Sequence, residues 1–167
     1  MVVEKLTGTD RRSIGAANAV AQEIAGDQAL FDEVFAALYT DDPVLRMRAA
    51  DAVEKASRAY PERLLPHKRE LLGELAAVAQ PEVRWHLAQM LPRLDLNPAE
   101  KEQALAILEG FLSDRSTIVR VNALDALVHL ARGDAALEEK ARRLLTDSME
   151  RGRPAEKARA RKLLDRL

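Results

Sequence analysis

Three histidines, His67, His86 and His129, have the widest metal-binding and proton-transfer repertoire in this 167-residue chain. They are scattered along it. None belongs to a His-Glu-x-x-His pair, which would set two ligands and a base on one helical face. A metal shared by His86 and His129 would need a fold that juxtaposes them. The chain has no cysteine, which removes disulfides, thiol nucleophiles and zinc-thiolate sites together. There is no glycine-rich phosphate loop and no Gly-x-Ser-x-Gly elbow. Ser116 reads as a helix cap rather than a nucleophile. Carboxylates are abundant, but no pair sits in an obviously apolar stretch. These residues point to a protein with no catalysis, no cofactor and no metal. An enzyme or carrier built on the His86–His129 region is the least favoured class.

The remaining side chains of interest depend on how helices position them. Ala and Leu supply 29 and 25 residues, and aromatics only 4%. Both favour helix, because they lose little rotamer freedom there. Apolar residues recur at spacings of three and four almost throughout. Asp42-Pro43, Gln80-Pro81, Asn97-Pro98 and Arg153-Pro154 each open a periodic stretch, since proline is tolerated in the first turn. Asp42 and Asn97 suit N-caps, and Gly26, Gly133 and Gly152 suit C-caps. The expectation is about nine helices and no strand, near 11–25, 28–40, 43–58, 61–79, 81–94, 98–113, 116–132, 134–151 and 154–166. Pro66 and Pro92 should kink or shorten two of them. Connections are short, so consecutive helices should pack antiparallel.

Three of these stretches align. They begin Asp42-Pro43-Val44-Leu45-Arg46, Gln80-Pro81-Glu82-Val83-Arg84 and Thr117-Ile118-Val119-Arg120. Fainter copies open and close the chain. The equivalent residues Ala16, Ala49, Leu87, Ala123 and Ala160 are separated by 33, 38, 36 and 37. A period in the thirties built from two helices indicates a helical solenoid. The pattern of Asp-Pro, an apolar residue, Arg, small residues and Ala-Leu resembles the HEAT-repeat family over nearly the whole chain. The expected fold is therefore an all-α solenoid of four to five HEAT-like repeats in one domain, 1–167. Residues 1–40 would form an atypical N-terminal cap, 41–133 the three-copy core, and 134–167 the C-terminal capping helices. The resemblance implies a scaffold that binds other macromolecules, and a structural use for the repeated arginine.

Each residue turns a helix by about 100°. Leu45, Ala49, Ala52 and Val53 then share one face, as do Val83, Leu87, Met90 and Leu91, and Val119, Ala123, Ala126 and Leu127. These faces are the expected core. Arg46, Arg84 and Arg120 lie at its edge, one per repeat. They read as a structural ladder, each bridging to an acid or a helix-end carbonyl of the neighbouring repeat, in preference to an anion-binding row. Met47, Trp85 and Val121 occupy one equivalent position, roughly 160° from the core centre. Asp51, Gln89 and Asp125 lie beside them. Lys55, Arg93 and His129 come one turn later, and Arg48, His86 and Asn122 flank them. Two readings of Trp85 remain. It anchors a partner-binding wall with Met47, Val121, Arg48, His86, Gln89, Arg93, Asn122, Asp125 and His129, or it packs against a neighbouring helix. Phe31, Phe35 and Tyr39 stand four apart and read as core.

The net charge is −1, so the chain as a whole has no field for nucleic acid or an anionic membrane. Ser13 to Leu45 holds six acids and no base. The C-terminal end is basic. Arg151, Arg153, Lys157, Arg159, Arg161 and Lys162 are its candidate phosphate contacts, and Arg11-Arg12 is a weaker pair. No apolar run approaches the ~18 residues of a membrane span, and the first residues lack a signal-peptide pattern. The expected function is thus a monomeric, cytoplasmic protein–protein interaction module. Nucleic-acid binding through the basic C-terminal helix is the alternative.

Overall fold

In the computed structural model, which describes residues 1–10 and 12–167, every regular element is helical. Arg11 lies outside the described residues. Among those described there are nine α-helices and no strand. They are α1 (Ala17–Ala25), α2 (Gln28–Ala36), α3 (Pro43–Ala59), α4 (Lys68–Leu72), α5 (Pro81–Met90), α6 (Pro98–Phe111), α7 (Thr117–Ala131), α8 (Ala135–Arg151) and α9 (Pro154–Leu164). No described helix is long and apolar enough to cross a membrane.

Cap chemistry explains most of the boundaries. The Asp42 carboxylate accepts from the Val44 and Leu45 amides ahead of Pro43, and Asp27 and Asp134 cap α2 and α8 in the same way. Asn97 and Glu100 form a reciprocal capping box, and Ser116 accepts from Val119 N. Proline explains the departures. The expected helix 61–79 is broken into a 3-10 segment Pro61–His67, the short α4 and a 3-10 turn Glu74–Ala77. Pro66 has no N–H and its ring crowds the preceding turn, so no α-helix runs through it. Pro92 likewise ends α5 at Met90, leaving a 3-10 turn Leu91–Arg93. The first α-helix begins only at Ala17, and a 3-10 turn Val2–Leu6 precedes it.

The chain forms two compact units, Met1–Asp95 and Leu96–Leu167. In the first, α3 packs against α1, α2 and α5. Val20, Ile24, Phe31, Phe35, Ala49, Val53, Leu64, Leu71 and Leu87 are buried there. Burying each large aliphatic side chain stabilises by about 1.5–3 kcal/mol. Leu45 is only half-buried and Val44 takes the inward place, so the core stripe of α3 is rotated from the expected one. Phe31 and Phe35 are core, but Tyr39 is exposed, because α2 ends at Ala36 and the tighter 3-10 turn breaks the four-residue spacing. In the second unit α7 packs on α6, α8 and α9. Its core includes Leu124, Val128, Leu145, Ala160 and Leu163, and Phe111 is also buried.

Candidate functional site

The three repeated arginines share one local geometry. Arg46 Nε donates to Thr40 O at 3.0 Å, and Arg84 Nε to Val78 O at 2.8 Å. Arg120 donates to Asp114 O. The acceptor is six residues upstream each time, in the loop that delivers the helix. Each guanidinium therefore clamps the entry to its own helix through an orphan carbonyl. Two also reach the next copy within their unit. Arg46 donates to Gln80 Oε1 at 3.3 Å, and Gln80 Nε2 returns a bond to Pro43 O at 2.8 Å. Arg120 holds Glu156 through Nε at 2.9 Å and through a second nitrogen at 2.9 Å. Burial opposes charge on Glu156, but the bonds from Arg120 and the Arg153 backbone outweigh it and hold the carboxyl below its usual range.

The expected wet wall is largely spent on internal contacts. In the first unit Met47 is buried. Arg48 is only 5% exposed and donates to four backbone carbonyls, those of Leu6, Thr7, Asp10 and Ser13. Gly8 and Gly15 border its guanidinium, and a Cβ on Gly8 would fall 2.5 Å from an Arg48 nitrogen. Arg48 thus organises the N-terminal loop and presents no charge to a partner. His86 is 7% exposed, with Nδ1 3.1 Å from Gln89 Oε1 and Nε2 3.7 Å from Asp51 Oδ1. Burial lowers its pKa below the usual histidine value, against the pull of Asp51 and Glu54. Lys55 bridges Asp51 and Asn18, at 2.6 Å to each. Arg93 also turns inward, to the Glu54 carboxylate, to Glu54 O and to Ser57 Oγ. Glu54 is 1% exposed, and burial opposes its charge. The bonds from Arg58 and Arg93 still hold it below the ordinary carboxylate range.

These corrections share a physical cause. A position 160° from the core centre is not necessarily wet, because the neighbouring helices and the N-terminal loop reach that side. Trp85 is half-buried, tilted against His86 with ring centroids 5.6 Å apart. Gln89 is half-buried beside it. In the second unit Val121, Asn122 and Asp125 are half-buried and His129 is exposed. Asp125 is committed to Arg159, whose Nε donates to both carboxylate oxygens at 2.9 Å. Ile118 is an unforeseen member of this stripe, 54% exposed. It stands three and four residues before Val121 and Asn122, which is the spacing that could have found it.

The basic end is also partly spent. Arg151 pairs with Asp147 at 3.1 Å, Lys157 donates to Glu150 O at 3.0 Å, and Arg159 holds Asp125. Arg153, Arg161 and Lys162 remain exposed. A 460 Å³ cavity near this end is lined by Arg120, Arg151 and Arg153, but also by Glu109, Asp114, Asp147 and Glu156. It has no cationic excess for an anion. No group of three or more His, Asp or Glu side chains is placed to hold a metal ion among the described residues. No family model, no curated protein and no solved structure matches the chain.

Proposed function

We propose that the chain is a HEAT-like solenoid module that binds a protein partner and performs no catalysis, acting as a monomer in the cytoplasm. The carrying observation is the arginine that closes on the carbonyl six residues upstream at three aligned helices. Recurrence of both residue and acceptor supports copies of one helix-pair unit, the basis of repeat scaffolds. Trp85 and Gln89 are the contact residues of this reading in the first unit, and Ile118, Val121, Asn122 and His129 are a separate candidate face of the second. Trp85 is the anchor of the first face, because a half-exposed tryptophan offers large apolar area at low entropic cost. Arg46, Arg84 and Arg120 support the fold and do not touch the partner. Met47, Arg48, His86 and Arg93 act beneath the surface.

Affinity capture from source lysate tests this with wild type, Trp85→Ala and Ile118→Asp, each checked for an unchanged melt. Loss of one partner in a folded variant is the expected result. A partner retained equally by wild type and both variants refutes both faces. If nucleic acid is recovered instead, the alternative use of Arg153, Arg161 and Lys162 is separated by salt. Affinity falling steeply with log salt identifies phosphate contacts.

A further inference from the structure

Two carboxylates from different helices grip one imidazole. His67 closes the 3-10 segment Pro61–His67 and leads into α4. Its side chain is 12% exposed, and its ring lies over Phe35 with centroids 3.7 Å apart and planes 17° apart. Phe31 is the next ring, at 6.0 Å. Nε2 lies 2.7 Å from Asp32 Oδ1 on α2, and Nδ1 lies 3.0 Å from Glu70 Oε1 on α4. A neutral imidazole has one N–H. It would donate to one of these oxygens and turn a lone pair towards the other. Only the imidazolium donates to both. The phenyl face beneath it also attracts a cation.

The surroundings keep both acceptors ionised. Asp32 Oδ1 also accepts from Gln28 Nε2 at 2.7 Å, and Glu70 Oε2 accepts from the Tyr39 hydroxyl at 2.8 Å. Burial opposes charge on each, yet Gln28 and His67 hold Asp32 below its usual range, and His67 and Tyr39 do the same for Glu70. Burial and Glu70 push the Tyr39 phenol up, so it remains a donor. Arg63 of the 3-10 segment favours the charge on Asp32, and Glu74 acts on Tyr39.

We propose that His67 is a proton-gated latch. Protonated, it ties α2 to residues 61–72 across Phe31 and Phe35, and loss of its proton frees one arm and loosens that segment.

The latch has two limits. Its second hydrogen bond is lost when the ring gives up a proton and keeps one N–H. Asp32 and Glu70, being depressed, contribute stability that is lost as pH falls through their folded range. The latch is therefore complete only while His67 holds both protons and Asp32 and Glu70 hold none. His86 runs the other way, because its buried ring is held neutral. Its contribution is present above the unfolded value of 6.5 and is lost as pH falls.

Imidazole nitrogen NMR of the full chain, compared at about pH 6 and about pH 8.5, tests the proton directly. Both His67 nitrogens should carry protons at the lower pH and one at the higher. Corrected amide-exchange protection over residues 61–72 should drop about tenfold between them, the size of one charge-assisted contact. In thermal melts the wild type should lose about 3–5 °C over the same interval. His67→Phe, which keeps a ring on Phe35, should lose that dependence, and His86→Gln should keep it. A single N–H on His67 at the lower pH, or an unchanged profile in His67→Phe, overturns the latch.

Discussion

Glu54 shows how a single side chain is made tolerable in this protein. A carboxylate 1% exposed would be strongly destabilising alone, but it receives bonds from Arg58 and Arg93, while Ser57 and the Glu54 carbonyl complete the cluster. Removing one partner should cost more than an exposed pair would. Arg93→Ala is expected to lower unfolding free energy by about 2–4 kcal/mol, as read from urea melts. Glu54→Leu, which removes the charge itself, should cost less in the Arg93→Ala background than in the wild type. Protonation provides the complementary check. Glu54 and Glu156 both titrate below their unfolded values, so their stabilisation is present above about pH 4.5 and lost as pH falls through the folded range. Denaturant midpoints should fall steeply below that point, and less steeply in Glu156→Gln.

At the scale of elements, helix starts are set by short-range chemistry. Asp42→Ala removes the acceptor for two amides at the head of α3 and should cost about 1 kcal/mol, measured by chemical denaturation. The arginine clamps act one step further out, fastening each helix to its incoming loop. Arg84→Ala leaves Val78 O without that donor and should destabilise by about 1–2 kcal/mol, with little effect on partner capture. An unchanged melt would remove the clamp from the account of the fold. Arg120→Ala also strands the buried Glu156 carboxylate and should cost more than loss of an exposed pair.

On the scale of the whole molecule, charge is divided rather than absent. The first unit carries 12 bases and 15 acids, the second 14 and 12. Several of the C-terminal bases are already committed to acids or carbonyls of their own unit. Weak salt dependence of partner binding is therefore the expected behaviour, checked by titration between about 50 and 200 mM salt. Trp85 is the chain's only tryptophan, so its fluorescence reports one place. A half-buried indole should emit between the extremes of core and water and be quenched by acrylamide in the free protein. Bound partner should protect it. An emission that acrylamide cannot reach would place Trp85 in the packing and not at the interface.

Helix number, most helix starts and the alignment of Arg46, Arg84 and Arg120 were legible in the residues themselves; that each of these arginines closes on its own entry loop was not. The 3.6-residue period and the Asp-Pro and Asn-Pro openings are local signals, and caps act within one turn of the chain. What reached water was not legible. A helical wheel gives the direction of Met47, Arg48, His86 and Arg93 from their axes, but not what stands in that direction. The carbonyls that receive Arg48 come from residues 35 to 42 positions upstream, and the carboxylate that receives Arg93 from 39. The Asp32–His67–Glu70 latch was hidden for the same reason, since Asp32 and His67 are 35 residues apart. By itself the sequence determined the helices and their outward bearings. Only the tertiary structure decided which bearings end in solvent, because packing partners are chosen by the whole chain and not by the turn.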